Sequence, residues 1–374
     1  FSGNDLKNTV CEHPLKNMGY DYDVPMLEGD FVTLEQGTGV VHSAPSHGPD
    51  DFNLCLKHGI KASNTMNDGG VYSDEVPFFS GTHIFKADIQ IIDKLSEHKS
   101  LLGKGKLQHS FPHSWRSKAP LVYRATSQWF ISMEKKNLRK KALKAIDETT
   151  FYPKKGRDRI RSMVETRPDW CISRQRLWGV PLPLFVSKKT NEPLKDPEVI
   201  ENIAKIYEKE GADCWFTDDP QRFLGTKYKK EDYIKSNDIV EVWFDSGATH
   251  SYVLEKRKDL TWPASMYLEG SDQHRGWFHS SLLESCGTRG RAPFNSVLSH
   301  GFVVDGKGLK MSKSTGNIIA PEDILKKYGA DILRAWVAAS DYSEDLRLDH
   351  SILEQQAESY RKIRNTFRFL LGNL

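Results

Sequence analysis

The spacing of apolar residues predicts two helices in the first half of the chain. Within 86–99, Ile89, Ile92 and Leu95 recur at helical spacing and would share one face of a short amphipathic helix. A second helical stretch is predicted over 134–148. The first of these helices would turn its apolar face towards a core.

The last fifty residues carry an almost continuous helical pattern. Pro321 begins a helix whose first turn is acidic, and Gly329 ends it. Helical periodicity then returns in ADILRAWVAAS (330–340) and in ILEQQAESYRKIRNTFRFLL (352–371). The pattern therefore predicts an all-helical module at this end of the chain.

Between these regions the pattern changes to strand, helix and strand. ASMYLEGSD (264–272) reads as a buried strand that ends at Gly270, and a helix is predicted over about 273–285. SVLSHGFVVDG (296–306) reads as a second strand closed by a glycine-rich turn. A helix of this length between two strands predicts a parallel βαβ unit.

The first hundred residues are predicted to be a β-rich, mixed α/β module. GDFVTLEQGTGVVHSAP (29–45) is typical of a strand, a tight turn and a second strand. By contrast, residues 187–235 are rich in Lys, Glu and Asp around one short predicted helix. We expect this second segment to be a surface insertion with little chemistry.

Composition narrows the possible classes only in part. A length of 374 residues predicts about two to three domains. The net charge of +3 neither requires nor excludes RNA binding. The 5 cysteines form no C-x-x-C pair, which favours a reducing cytoplasm over a disulfide framework or a zinc knuckle. No apolar run approaches the roughly 18 residues of a membrane span.

A lysine-containing loop is the strongest candidate for chemistry. GLKMSKSTGN (308–317) follows the second predicted strand and places Lys310 and Lys313 between two glycines. A loop of this kind can bring two ammonium groups to phosphate oxygens and stabilise a phosphoryl transition state. The alternative for two lysines at this spacing is an ordinary solvated basic loop.

A polar cluster is predicted where the first strand of the βαβ unit ends. Glu269 and Gly270 close the strand, and Asp272 and Gln273 begin the following turn. Ligands of α/β sheets bind at this edge, and carboxylates there can hold an ammonium group or a ribose hydroxyl. The cluster is therefore a candidate ligand site.

A structural explanation competes with that interpretation. Ser271 and Asp272 could simply cap the next helix, with His274 exposed to solvent. His300, at the end of the second strand, could join the ligand site or serve as a structural histidine.

A glycine- and proline-rich loop holds a second group of titratable residues. His42, His47, Asp50 and Asp51 lie close together in the sequence. They could form a metal site, a general acid/base pair or an ammonium-binding pocket, or only a capped turn with solvated acids. The spacing does not match a zinc protease motif, and we expect no bound metal.

Arginines alternate with tryptophans around DWCISRQRLWGVPLP (169–183). Such a surface suits contact with a phosphate backbone and stacking on bases. The alternative is arginines that pack along aromatic faces in the core. The residues concerned are Arg157, Arg159, Arg161, Arg167, Arg174, Arg176, Trp170 and Trp178. Cys171 is taken as a packing residue.

Six strings together resemble the class I aminoacyl-tRNA synthetases, and among them the bacterial isoleucyl type. The valyl and leucyl types share parts of the pattern and remain alternatives. In chain order the strings are GTGVVHSAPSHGPDDF, SWRSKAPLVYRATSQWF, DWCISRQRLWGVPLP, VWFDSGATH, YLEGSDQHRGWF and GLKMSKSTGN.

The resemblance implies an α/β fold with three parts. Residues 1–114 would be the C-terminal part of the editing (connective peptide) domain, which is mixed α/β and β-rich. Residues 115–325 would be the second half of the Rossmann-like nucleotide-binding domain, with the insertion at 187–235. Residues 326–374 would begin the α-helical domain that contacts the anticodon region and stem of tRNA.

The resemblance also implies residue roles in amino-acid activation. Lys313 would be the ATP lysine, with Lys310 assisting. Trp243 and Trp277 would wall the isoleucine pocket. The residues implied to contact ATP or the adenylate are Glu269, Gly270, Asp272, Gln273, His300, Met311, Ser312, Lys313 and Ser314.

A second site follows from the same resemblance. In the editing domain, Asp51 would hold the α-ammonium of a misattached valine, and His42 would line the pocket and exclude isoleucine by size. The implied reaction there is hydrolysis of Val-tRNA(Ile).

The implied protein is an isoleucine-specific synthetase that uses ATP with Mg²⁺ and has tRNA(Ile) and L-isoleucine as partners. It would act in the cytoplasm as a monomer, without a membrane or a zinc ion on this segment. The chain resembles a central fragment, because the ATP-binding His-x-Gly-His motif of the family would precede Phe1. Two alternatives stay open: an editing-only or RNA-binding product, and an unrelated nucleotidyl-transfer enzyme.

Overall fold

The computed structural model describes residues 3–33, 35, 38–313 and 315–374. The chain divides into two compact units, Phe1–Ser127 and Gln128–Leu374. Each unit is considered by itself below.

The secondary structure of the first unit is sparse, and most regular elements belong to the second. The α-helices are α1 (Pro49–Lys57), α2 (Ala87–Glu97), α3 (Leu138–Asp147), α4 (Lys155–Glu165), α5 (Pro197–Glu210), α6 (Cys214–Thr217), α7 (Pro220–Leu224), α8 (Val242–Gly247), α9 (Trp277–Thr288), α10 (Pro321–Tyr328), α11 (Ala330–Ala339) and α12 (His350–Gly372). The strands are β1 (Val10–Glu12), β2 (Asp23–Pro25), β3 (Phe130–Ile131), β4 (Thr150–Tyr152), β5 (Trp170–Cys171), β6 (Ser173–Arg174), β7 (Phe185–Ser187), β8 (Tyr233–Lys235), β9 (Ile239–Val240), β10 (Tyr267–Gly270), β11 (Ser296–His300), β12 (Val303–Asp305) and β13 (Leu346–Leu348). No helix among the described residues is long and apolar enough to cross a membrane.

The first unit contains fewer strands than its sequence pattern predicts. β1 and β2 pair antiparallel, but the described residues of 29–45 form no strand. Val40 and Val41 stay half exposed, and no described segment provides the backbone partners that a strand requires. Leu34, Gln36 and Gly37 of that segment lie outside the described residues.

The amphipathic helix predicted over 86–99 is confirmed as α2. Ile92 and Leu95 are half-buried, as its pattern indicates, but Ile89 remains 72% exposed. The apolar face is therefore narrower than the sequence suggests. The helix predicted over 134–148 is confirmed as α3, which begins at Leu138 after a short 3-10 turn.

A three-stranded parallel sheet is the centre of the second unit. Its order is β10–β11–β4, with Gly270 opposite His300 at the carboxyl ends of two strands. α9 connects β10 to β11, which confirms the parallel βαβ unit. The helix begins at Trp277 rather than near 273, because Ser271–His274 form a 3-10 turn. The core of this layer includes Ile160, Phe278, Leu282, Phe294 and Val297.

The second predicted strand is divided in two by Gly301. A side chain at Gly301 would meet the backbone of Glu344, so only glycine permits this close approach. Beyond the break, β12 pairs in parallel with β13. The helices α10, α11 and α12 confirm the helical pattern, and Gly329 ends α10 as predicted. The prediction of an all-helical module is wrong, however, because β13 lies within it and is paired by a distant segment.

The insertion is more elaborate than predicted. Instead of one short helix it contains α5, α6 and α7 beside the antiparallel pair β7–β8. It has its own core around Trp215 and Phe223, both fully buried. Asp196 begins α5 and accepts hydrogen bonds from Lys227 and Tyr228, which lower the pKa of Asp196 to about 2. The insertion, although rich in charged residues, therefore has a hydrophobic core built around large aromatic side chains.

Candidate active site

Four of the predicted site residues meet at the carboxyl edge of the parallel sheet. A Cβ atom at Gly270 would lie 2.6 Å from Asp272 Oδ1 and 3.7 Å from His300 Cε1. Gln273 Nε2 donates to Asp272 Oδ2 at 3.0 Å. The side chain of Glu269 is exposed and has no described partner. The edge thus presents carboxylate, amide and imidazole groups around the buried backbone of Gly270.

The alternative prediction, in which Ser271 and Asp272 cap the next helix and His274 is exposed, is wrong. α9 begins at Trp277 without a side-chain cap from Ser271 or Asp272, and Gln273 Oε1 instead accepts from the backbone N–H of Trp277 at 2.9 Å. His274 is buried rather than exposed, with its Nδ1 atom 2.8 Å from the Ser271 carbonyl oxygen. Asp272 therefore has no capping role at the start of α9.

The two tryptophans predicted to wall a pocket are both fixed by neighbours. Trp277 stacks on Tyr267 with ring centroids 4.1 Å apart, and its Nε1 atom donates to the Ser246 carbonyl at 3.1 Å. The ring of Trp243 lies 3.0 Å from the position that a Cβ at Gly276 would take. Gly276 therefore lets Trp243 lie directly against the backbone that precedes Trp277.

Trp243 also borders a cavity of about 320 Å³. Glu241 stands at its rim, where it caps α8 by accepting from the backbone of Trp243 and Phe244, and Arg174 lies 3.8 Å away. Arg167 packs over the buried ring of Trp170, with 5.3 Å between guanidinium and centroid. The cavity is thus a charged pocket with aromatic walls.

Two polar residues of α9, the buried His279 and the half-buried Glu284, were not predicted from the sequence. His279 lines the cavity that Trp243 borders. His279 is 2% exposed, and burial, ahead of the nearby Arg167, lowers its pKa to about 3. Burial, followed by the charges of Asp245 and Glu241, raises the pKa of Glu284 to about 9. Neither ring nitrogen of His279 has a hydrogen-bond partner among the described residues, and neither does Glu284 Oε1. Polar and apolar residues are mixed on every side of α9, so the helix has no amphipathic pattern from which the environments of His279 and Glu284 could be predicted.

A second cavity, of about 460 Å³, opens at the same sheet edge. His300 and Ser299 line it from β11, and Lys155 and Arg159 line it from α4. Lys155 forms an ion pair of 2.8 Å with Glu344 across this cavity. The carboxyl ends of all three strands are therefore accessible from one side.

The lysine loop is held at its base and open at its tip. Lys310 and Lys313 are exposed, and their ammonium groups have no described partner. Met311 packs against the core of the helical segment, and Ser312 bonds to Thr315. Ser314 lies outside the described residues. Among the described residues, no hydrogen bond or ion pair links this loop to Asp272 or His300.

The candidates of the first unit are not brought into mutual contact. Asp51 lies in the first turn of α1, with its Oδ2 atom 3.2 Å from the Cβ position of Gly48. His42 is exposed in an extended segment, whereas His47 is anchored by Tyr123 and Thr65. No group of three metal-ligating side chains occurs within the described part of the chain.

The arginine and tryptophan segment divides between its two explanations. Trp170 is buried under Arg167, and Arg174 donates to the carbonyls of Cys171 and Ser173, as the packing explanation requires. Trp178 is 90% exposed, which suits a contact surface. Arg157 and Arg161 instead form ion pairs with Asp147. Neither explanation holds for the whole segment.

This α/β fold and sheet edge agree with the comparison to known families. Residues 10–349 match the model of the class I tRNA synthetases (I, L, M and V), and the chain belongs to this family. The predicted family is therefore confirmed.

Within the family, three similar curated proteins carry the same name. The chain is 75% identical over its whole length to an isoleucine–tRNA ligase of Pelagibacter ubique, of which it covers 41%. It is 52% identical to those of Gluconobacter oxydans and Geobacter sulfurreducens, of which it covers 40% and 41%. The chain thus spans about two fifths of the length of these relatives, which fits the expectation of a bacterial isoleucyl-type segment.

Solved structures give a weaker likeness. The Mycobacterium tuberculosis methionyl-tRNA synthetase bound by methionyl-adenylate is 16% identical, with a TM-score of 0.44 over 68% of this chain and 41% of that chain. An Agrobacterium radiobacter leucyl-tRNA synthetase in a ternary complex is 19% identical, with a TM-score of 0.39 over 55% of this chain and 29% of that one.

Proposed function

We propose that the chain is part of an isoleucine–tRNA ligase, which activates L-isoleucine with ATP and transfers it to tRNA(Ile). The observation that carries this proposal is the 52% to 75% identity, over the whole chain, to proteins of that name. Mg²⁺ accompanies the ATP, and the complete protein acts as a monomer in the cytoplasm.

In the proposed activation step, the sheet edge holds the adenylate. Glu269 and Gly270 contact the aminoacyl-adenylate, and Asp272 and Gln273 hold its adenosine side. The close approach of Asp272 and of His300 to Gly270 supports this assignment, because it groups a carboxylate and an imidazole that can bind ribose hydroxyls at the end of β10. Gln273 contributes in a second way by fixing the start of α9.

The two lysines provide charge rather than covalent chemistry. The isoleucine carboxylate attacks the α-phosphorus of ATP, the bond to pyrophosphate breaks, and negative charge builds on the departing oxygens. Lys313, assisted by Lys310, stabilises that charge, and the freedom of both ammonium groups from described partners supports the role. Ser312, Met311 and Ser314 complete the loop around the phosphates.

Trp243 and Trp277 form the walls of the isoleucine pocket. The contacts of both rings support this assignment. Stacking on Tyr267 and the hydrogen bond to the Ser246 carbonyl hold Trp277 in place, and Gly276 allows Trp243 to lie close to the backbone before Trp277. A pocket with rigid aromatic walls selects by shape. One methylene in such a pocket discriminates by only about 1 to 3 kcal/mol, a limit for which isoleucine against valine is itself the standard example.

That limit makes a hydrolytic site useful, and we place it in the first unit. Asp51 holds the α-ammonium of valine in Val-tRNA(Ile), and His42 restricts the pocket to the smaller side chain. Support comes from the position of Asp51 at the start of α1, where its carboxylate lies against Gly48 with no described cation beside it.

The larger organisation is proposed on the same basis. Residues 1–114 belong to the editing domain, 115–325 to the second half of the nucleotide-binding domain, and 326–374 to the start of the helical domain that contacts tRNA.

The test is tRNA charging by the full-length protein. Purified protein, ATP, Mg²⁺ and tRNA(Ile) are combined with labelled isoleucine or valine. Stable accumulation of Ile-tRNA(Ile), with little Val-tRNA(Ile), supports the proposal. Failure to charge tRNA(Ile) with isoleucine, or an equal preference for another amino acid, contradicts it.

A further inference from the structure

The base of the lysine loop is closed by a hydrogen bond between two side chains. Asn317 Nδ2 donates to Asp305 Oδ2 at 2.9 Å, so the two residues link the start and the end of the loop. Asp305 Oδ1 also accepts from the backbone N–H groups of Lys307 and Leu309, at 3.0 and 2.8 Å. We call Asp305 and Asn317 the loop clasp.

Asn317 reaches from the clasp into the functional part of the loop. Its Nδ2 atom also donates to the Lys310 carbonyl oxygen at 3.2 Å, and its Oδ1 atom accepts from the Ser312 N–H at 3.0 Å. The amide orientation is determined by these partners, since the opposite orientation would set an NH₂ group against an N–H donor and an oxygen against a carboxylate. Both amide hydrogens and the carbonyl oxygen are thus used.

The bonds act on the backbone that carries the charges. Because the ammonium groups of Lys310 and Lys313 have no described partner, only the backbone sets where they project. The carbonyl of Lys310 and the N–H of Ser312, directly before Lys313, are the groups that Asn317 holds. Gly308 and Gly316, with φ of +83° and +70°, provide the turns on either side.

Within the loop clasp, Asp305 is ionised, and the residue that follows it packs against the start of α12. The bond from Asn317, ahead of those from the Leu309 and Lys307 backbones, lowers the pKa of Asp305, so its carboxylate is ionised at neutral pH. Asp349, which caps α12, packs against Gly306, the residue after Asp305. The start of α12 therefore lies directly against the residue that follows Asp305.

From these contacts we propose that Asn317 is a positioning residue. With Asp305 it fixes the loop backbone, so that the ammonium groups of Lys310 and Lys313 are correctly placed at the phosphates of ATP. The proposal rests on the proposed function. It assigns Asn317 no contact with substrate, and it predicts a loss in turnover rather than in amino-acid binding.

The test compares four variants of the full-length protein with the wild type in isoleucine-dependent ATP–pyrophosphate exchange. Asn317→Ala removes all three bonds and should lower kcat by about 10- to 100-fold, since small misplacements of catalytic groups have effects of this size. The KM for isoleucine should stay within about twofold, because the loop does not form that pocket. Asn317→Asp should be as damaging, since it opposes two carboxylates.

The exchanged pair provides the sharpest variant. In the double substitution Asp305→Asn with Asn317→Asp, an amide again donates to a carboxylate and both acceptors for backbone N–H groups remain. Only the bond to the Lys310 carbonyl is lost. Activity should recover partly relative to Asn317→Asp, and no recovery would contradict the clasp.

Asn202→Ala is the matched control. Asn202 likewise donates to two backbone carbonyls, of Arg222 and Phe223 at 3.0 and 2.9 Å, but within the insertion. It should leave kcat unchanged. If Asn317→Ala retains the wild-type kcat, or if it raises the isoleucine KM as strongly as it lowers kcat, the positioning role is wrong.

A readout independent of activity separates this inference from the proposed function. Limited trypsin cleavage after Lys310 and Lys313, followed by mass spectrometry, should become about tenfold faster in Asn317→Ala, because the loop loses its local bonds. An unchanged cleavage rate would overturn the inference even if the exchange assay succeeds. A wild-type protein without isoleucine-dependent exchange would instead overturn the proposed function, and the cleavage rates would still decide whether the clasp orders the loop.

Discussion

Trp277 lies flat on Tyr267, with 3° between the ring planes. Tyr267 is 4% exposed and belongs to the strand β10, and its hydroxyl lies 3.2 Å from Ser281 Oγ on α9. The stack therefore connects the sheet to the helix that carries one wall of the proposed pocket. Because the two rings are in contact, a loss of packing at Tyr267 should change the orientation of Trp277.

Replacement of Tyr267 should thus affect isoleucine binding. Tyr267→Leu removes the stacked ring and should raise the KM for isoleucine about tenfold, in line with the worth of an aromatic pair. Tyr267→Phe keeps the stack and loses only the hydroxyl contact, so its KM should stay close to wild type. Steady-state exchange kinetics at varied isoleucine make the comparison.

The insertion offers a control for general loss of aromatic packing. Tyr207 contacts Trp215 edge to face in that separate core, with centroids 6.4 Å apart. Tyr207→Leu should leave the isoleucine KM unchanged. Equal KM values for Tyr267→Leu and wild type would show that the stack does not shape the pocket.

Glu284 predicts a pH dependence of stability. Its pKa is raised to about 9 in the folded protein, while the unfolded side chain ionises near its ordinary value of about 4.5. Between these values the unfolded chain binds fewer protons, so the free energy of unfolding decreases as pH rises from about 4.5 to 9. Glu284→Gln should remove this part of the pH dependence.

Thermal or urea unfolding of the full-length protein at pH 5.5 and pH 8.5 checks the point. The stabilisation of Glu284→Gln relative to wild type should be larger at pH 8.5. His279 contributes with the opposite sign, since its lowered pKa makes stability fall as pH decreases below about 6.5. A Glu284→Gln effect that is equal at both pH values would mean that Glu284 is ionised in the fold.

Asp51 and Asp50 are adjacent acids with different predicted consequences. Asp51→Ala in the full-length protein should leave isoleucine activation near normal and let Val-tRNA(Ile) accumulate. Asp50→Ala, the exposed neighbour, should behave as wild type. Deacylation of preformed Val-tRNA(Ile) is the measurement, and unchanged hydrolysis by Asp51→Ala would remove Asp51 from the editing role.

Lys313 should matter for chemistry and little for folding. Lys313→Ala removes a charge from an exposed loop and should depress the kcat of isoleucine-dependent exchange by about 10²- to 10³-fold, as loss of a transition-state donor does. Lys189→Ala, also exposed but in the insertion, provides the control and should keep full activity. Full exchange activity in Lys313→Ala would contradict the assignment of the ATP lysine.

The elements that could be predicted are those whose signal is local. The βαβ unit follows from two short strand-like segments separated by a segment of helix length and from glycine at the end of β10, and α10 follows from Pro321 and Gly329. α2 could be placed for the same reason. Sheet-edge residues Gly270, Asp272 and His300 also come together, because strand order decides where carboxyl ends meet.

What could not be predicted depends on distant partners. β13 is a strand because β12 pairs with it, and an alternation of only three residues is too short to predict a strand. Val40 and Val41 show the reverse, since β-branched residues without a partner stay irregular. The roles of Asp305 and Asn317 likewise arise from a contact across the loop, which residue spacing alone does not reveal.

The central claim is that this chain belongs to a protein that activates isoleucine. The most direct measurement is ATP–pyrophosphate exchange by the full-length protein with isoleucine, valine, leucine and methionine in parallel. Our account predicts the highest kcat/KM for isoleucine; valine should be lower by the factor of roughly 100 for which this pair is itself the standard example, and the others lower still. Exchange that prefers another of these amino acids, or that does not depend on an amino acid at all, would contradict it.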